Sequence, residues 1–247
     1  MNSISLRRFV QIPIRGLAKK IRIGFYQQYW QKYQLPEITF RELTGQPLAV
    51  TADPILDDIC MPPYYKGNRY EPHDDFNPLM ALAKYKQPQT ILELGTAHGN
   101  TVANLCRILP NAHIITINAP VEEQSGNIVT YELKKDEIGR VYRQYGYDNQ
   151  ITQIYANTLH LELSGYFSAP TIDLAIIDAC HDTDYVVNDF LKIMPFVRAK
   201  GIVLLHDTHP SMKRHLLGSY RACLYLRQKG YDIRHLAGTW WGVWLAN

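Results

Sequence analysis

From residue 88 onward the chain alternates apolar segments with amphipathic ones, and this alternation restricts the fold more than any other feature. Thr90 to Leu94, His113 to Ile117, Ile151 to Tyr155, Ile172 to Ile177 and Ile202 to His206 read as strands. Thr101 to Leu109, Tyr131 to Tyr145, Thr183 to Met194 and Ser211 to Gln228 read as the helices that follow them. Pro110 and Pro195 stop two of these helices, Asp182 or Thr183 caps one, and Gly230 lies just past the last. Tyr231 to Leu236 and Trp240 to Leu245, separated by Ala237-Gly238-Thr239, read as a closing antiparallel pair. Ile172 to Ile177 is apolar almost throughout, as a strand covered on both faces must be. The pattern predicts an α/β domain: a doubly wound, seven-stranded, mostly parallel sheet with an antiparallel last strand. In such a sheet the residues just beyond each strand carry the functional information.

The rest of the chain is unlike this domain. Residues 36–80 are rich in Pro, Asp and Tyr and read as loop with short helical turns, a lid or binding segment in which Tyr64 and Tyr65 stand out. A helical N-terminal extension precedes it. Ile14, Leu17, Ala18, Ile21 and Phe25 share one helical face, and an aromatic cluster follows: Phe25, Tyr26, Tyr29, Trp30 and Tyr33. We therefore expect a cap and lid segment over 1–80 and a catalytic domain over 81–247. The first acidic residue is Glu37, after seven basic ones, so the net charge of +3 belongs to the extension and not to the body. A body of that balance, with no nucleic-acid motif, predicts no nucleic-acid partner. The extension reads as a cap packed on the body or on a second copy, which makes a homodimer the expected assembly. No apolar run approaches the ~20 residues a membrane span needs, and no apolar leader is seen. Cys60, Cys106, Cys180 and Cys223 form no CxxC pair and read as free thiols in a reducing, cytoplasmic compartment.

Three strand ends carry the chemistry. The first is Glu93-Leu94-Gly95-Thr96-Ala97-His98-Gly99-Asn100, where an apolar strand enters a glycine turn and opens a helix. Gly95 and Gly99 let backbone turn tightly and pass close to a ligand. Neither the dinucleotide pattern GxGxxG nor the phosphate loop GxxxxGK[ST] is met. The second is Asp178-Ala179-Cys180-His181-Asp182, and the third is His206-Asp207-Thr208-His209. An Asp at the end of each of two neighbouring parallel strands places two carboxylates in one crevice. Such a pair repels unless a proton or cation lies between them, and oxygen ligands suit a hard ion such as Mg²⁺.

An acid-x-Gly-x-x-x-Gly turn resembles motif I of the class I S-adenosylmethionine (SAM)-dependent methyltransferases, whose fold is Rossmann-like. With IDxxH and LHDT in the same order, residues 85–247 resemble the small-molecule O-methyltransferases of the macrocin and sugar type. The resemblance implies SAM as cofactor and a hydroxyl of a sugar, phenol or other natural product as acceptor. It implies that Glu93, Gly95, Thr96 and Gly99 form the methionine end of the cofactor site. Asn118 stands where the family usually has a ribose-binding acid, with Glu122 and Glu123 in the following loop. Asn157 and Thr158 would meet the adenine side, and Asp178 would border both cofactor and acceptor. In metal-dependent members the positions of Asp178, Asp207 and Thr208 hold the cation. His181 is the residue expected to act as base, since imidazole titrates near neutral pH. Two other readings stay open: a non-catalytic SAM- or nucleotide-binding module, and a metal-dependent hydrolase built on His181-Asp182, His206-Asp207 and His209.

Overall fold

A computed structural model describes residues 34–48, 76–123, 133–208 and 217–247. The chain divides into two compact units, 1–35 and 36–247, and the second holds the sheet. The expected N-terminal helix, the aromatic cluster, Cys60, Tyr64, Tyr65 and His209 lie outside the described residues.

Among the described residues eight strands form one sheet: β1 (Glu37–Ile38), β2 (Thr90–Leu94), β3 (His113–Asn118), β4 (Ile151–Tyr155), β5 (Ile172–Ile177), β6 (Val197–Leu205), β7 (Arg234–Leu236) and β8 (Gly242–Leu245). Their order is β1-β7-β8-β6-β5-β2-β3-β4. Every neighbouring pair is parallel except those of β8, which runs antiparallel to β6 and to β7. The helices are α1 (Phe40–Thr44), α2 (Phe76–Lys86), α3 (Asn100–Ile108), α4 (Arg140–Gln144), α5 (Thr183–Ile193) and α6 (Leu217–Gln228). Strand order reverses at β2, which lies between β3 and β5, so the crevice of a doubly wound sheet opens beyond the carboxyl ends of these strands.

Four expectations need correction. Among the described residues the sheet has eight strands where seven are expected. The extra one, β1, is two residues long and joins the edge through His235 N–H to Pro36 O (2.8 Å) and Ala237 N–H to Ile38 O (3.0 Å). Two residues are too few to show a period. The helix expected over Tyr131 to Tyr145 is only α4, because Gly139 adopts φ +72° and its N–H bonds Ala97 O instead of continuing a helix. β6 begins at Val197, five residues early; Lys200 at φ +64° and a register shift opposite Ile172 and Leu174 let it bend. Pro195 does not end the helical run at once but sits in a 3-10 turn, Met194–Phe196, that follows α5.

One face of the sheet buries Ile91, Ile114, Leu174, Ile176, Ile202 and Leu204 against Leu79, Met80, Leu82 and Ala83 of α2 and Val102, Leu105 and Cys106 of α3. On the other face Phe190 of α5 meets Trp244 of β8 edge-on, ring centroids 5.3 Å apart. Asp173 is the one charge in β5. Its Oδ2 accepts the N–H groups of Gln89 (2.8 Å) and Thr90 (2.9 Å), and its Oδ1 pairs with Arg198 (3.0 Å). A buried strand thus tolerates an acid at its entrance because the acid satisfies backbone donors. The described residues contain no helix long and apolar enough to cross a membrane.

Candidate active site

The sheet's backbone ladder continues past the strands and aligns the residues that matter. Gly95 N–H donates to Ile117 O (2.8 Å), Asp178 N–H to Leu94 O (2.9 Å) and His206 N–H to Ile177 O (3.0 Å). Asn118, Gly95, Asp178 and His206 therefore form a continuous rim across the switch point.

The turn after β2 is stitched from several sides. Gly95 has φ +103°, and a Cβ there would lie 2.1 Å from Asp178 O, so only glycine allows this approach. Gly139 N–H and Val141 N–H bond Ala97 O (2.8 Å) and His98 O (2.9 Å) from the α4 side. Asn118 Oδ1 accepts Ala97 N–H (3.0 Å), while its Nδ2 donates to Ala119 O (3.0 Å). Its amide is thus engaged in holding the turn.

Glu93 and Thr96 face inward beneath the turn. A directed chain of hydroxyls and amides runs to the carboxyl. Tyr142 OH donates to Gln153 Oε1 (3.2 Å), and Gln153 Nε2 donates to Thr96 Oγ1 (3.0 Å). Thr96 and Thr116 hydroxyls are 2.8 Å apart, and Thr116 Oγ1 donates to Glu93 Oε2 (2.5 Å). Burial pushes the Glu93 carboxyl up to about 8; the Thr116 bond opposes this and the charge of Asp178 adds to it.

Four side chains meet at the ends of β5 and β6. His181 Nδ1 lies 2.5 Å from Asp207 Oδ2, and His181 Nε2 lies 3.9 Å from Asp178 Oδ1. His206 Nδ1 is 3.0 Å from Asp178 Oδ1 and 3.4 Å from Asp207 Oδ1. Asp207 is buried and holds the left-handed φ of +58°, which turns its carboxylate toward His181. Burial alone would lower the His181 pKa, but the Asp207 bond and the charges of Asp207 and Asp178 outweigh it and hold the imidazole above its ordinary value. α6 supports this loop from behind. A Cβ on Gly218 would lie 1.9 Å from His181 O, and Thr183 Oγ1 donates to Gly218 O (3.1 Å).

Thr208 does not join this cluster, contrary to its expected place among the metal ligands. It is fully buried, and its hydroxyl donates to Trp240 O (2.9 Å) with His235 Nδ1 at 3.4 Å. Asp178, His181 and Asp207 are the described residues whose donor atoms converge, all within 4.8 Å of one another. Two oxygens and one imidazole nitrogen can hold a divalent ion, although Mg²⁺ prefers oxygen alone and the nitrogen suits Mn²⁺ or Zn²⁺ better.

Beyond β4, Asn157 Nδ2 donates to Glu123 Oε2 (3.0 Å), and Asn157 Oδ1 accepts Leu159 N–H (3.1 Å). Thr158 is buried beside Asp189, and its backbone carbonyl accepts from Lys192 Nζ (3.0 Å). Read from the sequence, His206 belongs only to the rival hydrolase pattern. The signal that could have placed it is its position, one residue past β6, and Trp241 at a ring distance of 4.3 Å helps to seat it.

Comparisons with known proteins agree with this geometry. Residues 92–208 match a family model described as a methyltransferase domain. A protein described as a caffeoyl-CoA O-methyltransferase from Staphylococcus aureus shares 18% identity, covers 94% of this chain and 100% of its own, and superposes with a TM-score of 0.52. The Podospora anserina methyltransferase PaMTH1, crystallised with S-adenosylhomocysteine (SAH), shares 14% identity, covers 96% of this chain and 98% of its own, and gives a TM-score of 0.51. At these identities the two structures show a common fold. Residues 92–208 are thus similar to a methyltransferase domain, carried on the fold that these two proteins share with this chain.

Proposed function

We propose that the protein transfers the methyl group of SAM to a hydroxyl of a small molecule, a sugar, a phenol or another natural product, with His181 as general base. The observation that carries this reading is the His181–Asp207 pair beside Asp178 on the rim of the switch-point crevice. The residues fit the cofactor. The N–H groups that a helix start such as that of α3 leaves outside its own ladder suit a carboxylate, and Asp178 suits a cationic centre. Gly95, Thr96 and Gly99 supply the backbone for this end, with Glu93 bracing it from below. Asn118 and Asn157 stand toward the other end, whereas the Thr158 side chain, expected there too, is buried against Asp189.

When bound, SAM supplies a methyl group already activated by its sulfonium, so the protein has to align the acceptor and remove its proton. Asp207 accepts the Nδ1 proton of His181 and thereby fixes the neutral tautomer with Nε2 unprotonated. Nε2 then takes the hydroxyl proton of the acceptor. Asp178, 3.9 Å away, stabilises the imidazolium that results.

A second reading has one specific observation behind it, the convergence of Asp178, His181 and Asp207. A divalent ion held there would lower the acceptor pKa and orient it. It would also compete with the proton for His181, so base and metal are alternatives at this imidazole. Transfer of labelled methyl from SAM to a panel of catechols and sugars tests the main reading. Wild-type turnover with His181→Ala reduced about 10²- to 10⁴-fold is the expected result. Equal rates in both would overturn it. Loss of turnover in EDTA, restored by Mg²⁺ or Mn²⁺, would favour the metal.

The buried, unpaired thiols of Cys106, Cys180 and Cys223 support a reducing, cytoplasmic setting.

A further inference from the structure

Beyond the methyl-transfer reading, on which this rests, we propose that Asp189 of α5 is a positioning residue for the cofactor. Acting through Lys192 and Asn188, its charge holds the loop after β4, and with it Asn157, in the shape that receives the nucleoside end of SAM. Asp189 works from beneath that loop and not by contact with the cofactor.

Three side chains of α5 meet this loop. Lys192 Nζ donates to the carbonyls of Thr158 (3.0 Å), Leu159 (2.8 Å) and Leu161 (2.9 Å). Asn188 Nδ2 donates to Thr158 O (3.3 Å) and to Asp189 Oδ1 (3.1 Å), so it joins the carboxylate to the same carbonyl that Lys192 holds. Leu159, whose carbonyl is held by Lys192, gives its N–H to Asn157 Oδ1 (3.1 Å). The orientation of the Asn157 amide thus depends on where the ammonium sits. Three carbonyls on one ammonium leave the turn little freedom.

The place of Asp189 is unfavourable for a carboxylate. The residue is 1% exposed, and its Oδ2 has no hydrogen-bond partner among the described residues. With Thr158 and Lys192 it lines a cavity whose other walls are the apolar Leu94, Leu161, Leu163 and Ile193. A buried charge with an unmade hydrogen bond costs stability. Burial pushes the carboxyl up to about 6 from an ordinary 3.8, against the opposing effects of the Thr158 hydroxyl, Asn188 and the charge of Lys192. Tyr185 from the first turn of α5 and Cys180 from the loop before it are the other titratable groups that face it. The folded chain holds this proton more tightly than the unfolded chain, so the stability it brings is full below 3.8 and is lost as pH rises through about 6. At neutral pH Asp189 therefore opposes folding, and the charge it faces is the ammonium that ties the loop. A local cost of this kind marks a residue whose charge serves the site.

Calorimetric titration of the full chain with SAH between pH 5 and pH 8, for wild type and Asp189→Asn, tests this. At pH 8 the variant is expected to bind SAH about 3- to 30-fold more weakly, the range of coupling within one hydrogen-bonded network, while its Tm equals or exceeds that of wild type. At pH 5 both side chains are uncharged, so the two affinities should converge, whatever other groups titrate in both proteins. Lys192→Met should weaken SAH as well, and Asp189→Asn should add no further loss in that background. Three results each overturn the role of Asp189 and leave the methyl-transfer reading standing: equal affinities at pH 8, a Tm for Asp189→Asn well below wild type, or an affinity ratio that stays constant from pH 5 to pH 8, as a merely structural role would give. No binding of SAH by folded wild type overturns that reading along with it.

Discussion

Single residues decide whether the site can exist. Gly95 is the clearest case, because its φ of +103° and the 2.1 Å approach of Asp178 O leave no room for a Cβ. Gly95→Ala should cost about 2–4 kcal/mol of stability, read as a drop in Tm, since either the turn after β2 or the end of β5 must move. Glu93 makes a prediction about pH. Its carboxyl titrates at about 8 in the folded chain against an ordinary 4.5. Between those values the unfolded chain has lost a proton that the folded chain retains, so this group makes stability fall as pH rises through that window. The slope is at most ~1.4 kcal/mol per pH unit and flattens above pH 8. Glu93→Gln should remove it, and parallel denaturation curves for the two proteins at pH 5, 6.5 and 8 would contradict the burial argument. The sequence showed both residues, because a glycine turn after an apolar strand is a local pattern. It could not show that Asn118 is spent on Ala97 or that Thr208 points into the protein. Those facts depend on which neighbour a side chain meets across the sheet.

Elements, once placed, carry residues into the site that no local pattern would put there. His181 and Asp207 are brought together because β5 and β6 are adjacent, and α6 backs the loop between β5 and α5 through Gly218. Gly218→Ala should displace His181 and lower kcat while leaving SAH affinity near wild type; a kcat equal to wild type would contradict that support. Lys192 acts in the same way on the loop after β4. Lys192→Met would leave three carbonyls without their ammonium, and an expected loss of about 1–3 kcal/mol should appear in urea denaturation. The strands β2, β4 and β5 match their expected spans because their apolar periods are long and bounded by turn residues. α4 and β1 do not, for opposite reasons. A polar helical pattern over Tyr131 to Tyr145 meets Gly139, which bonds to the turn after β2. A two-residue strand is defined only by the edge it joins.

At the scale of the whole molecule, the strand order explains why so few residues suffice. A sheet that reverses at β2 gathers Gly95, Asn118, Asp178 and His206 on one rim, and in the proposed function the residues just beyond that rim supply the base, its partner and the cofactor contacts. The parallel order and the antiparallel β8 followed from the pattern of segments, and the three strand-end motifs lie together at one crevice. What the alternation left open was which of the acids and imidazoles in it touch one another. Binding of SAM in this crevice is tested most directly by calorimetry with SAM and SAH, with and without Mg²⁺. One site per chain with micromolar affinity is expected, weakened when Asp178 is replaced by Ala. An absence of binding under every condition, by a protein that remains folded, would contradict it.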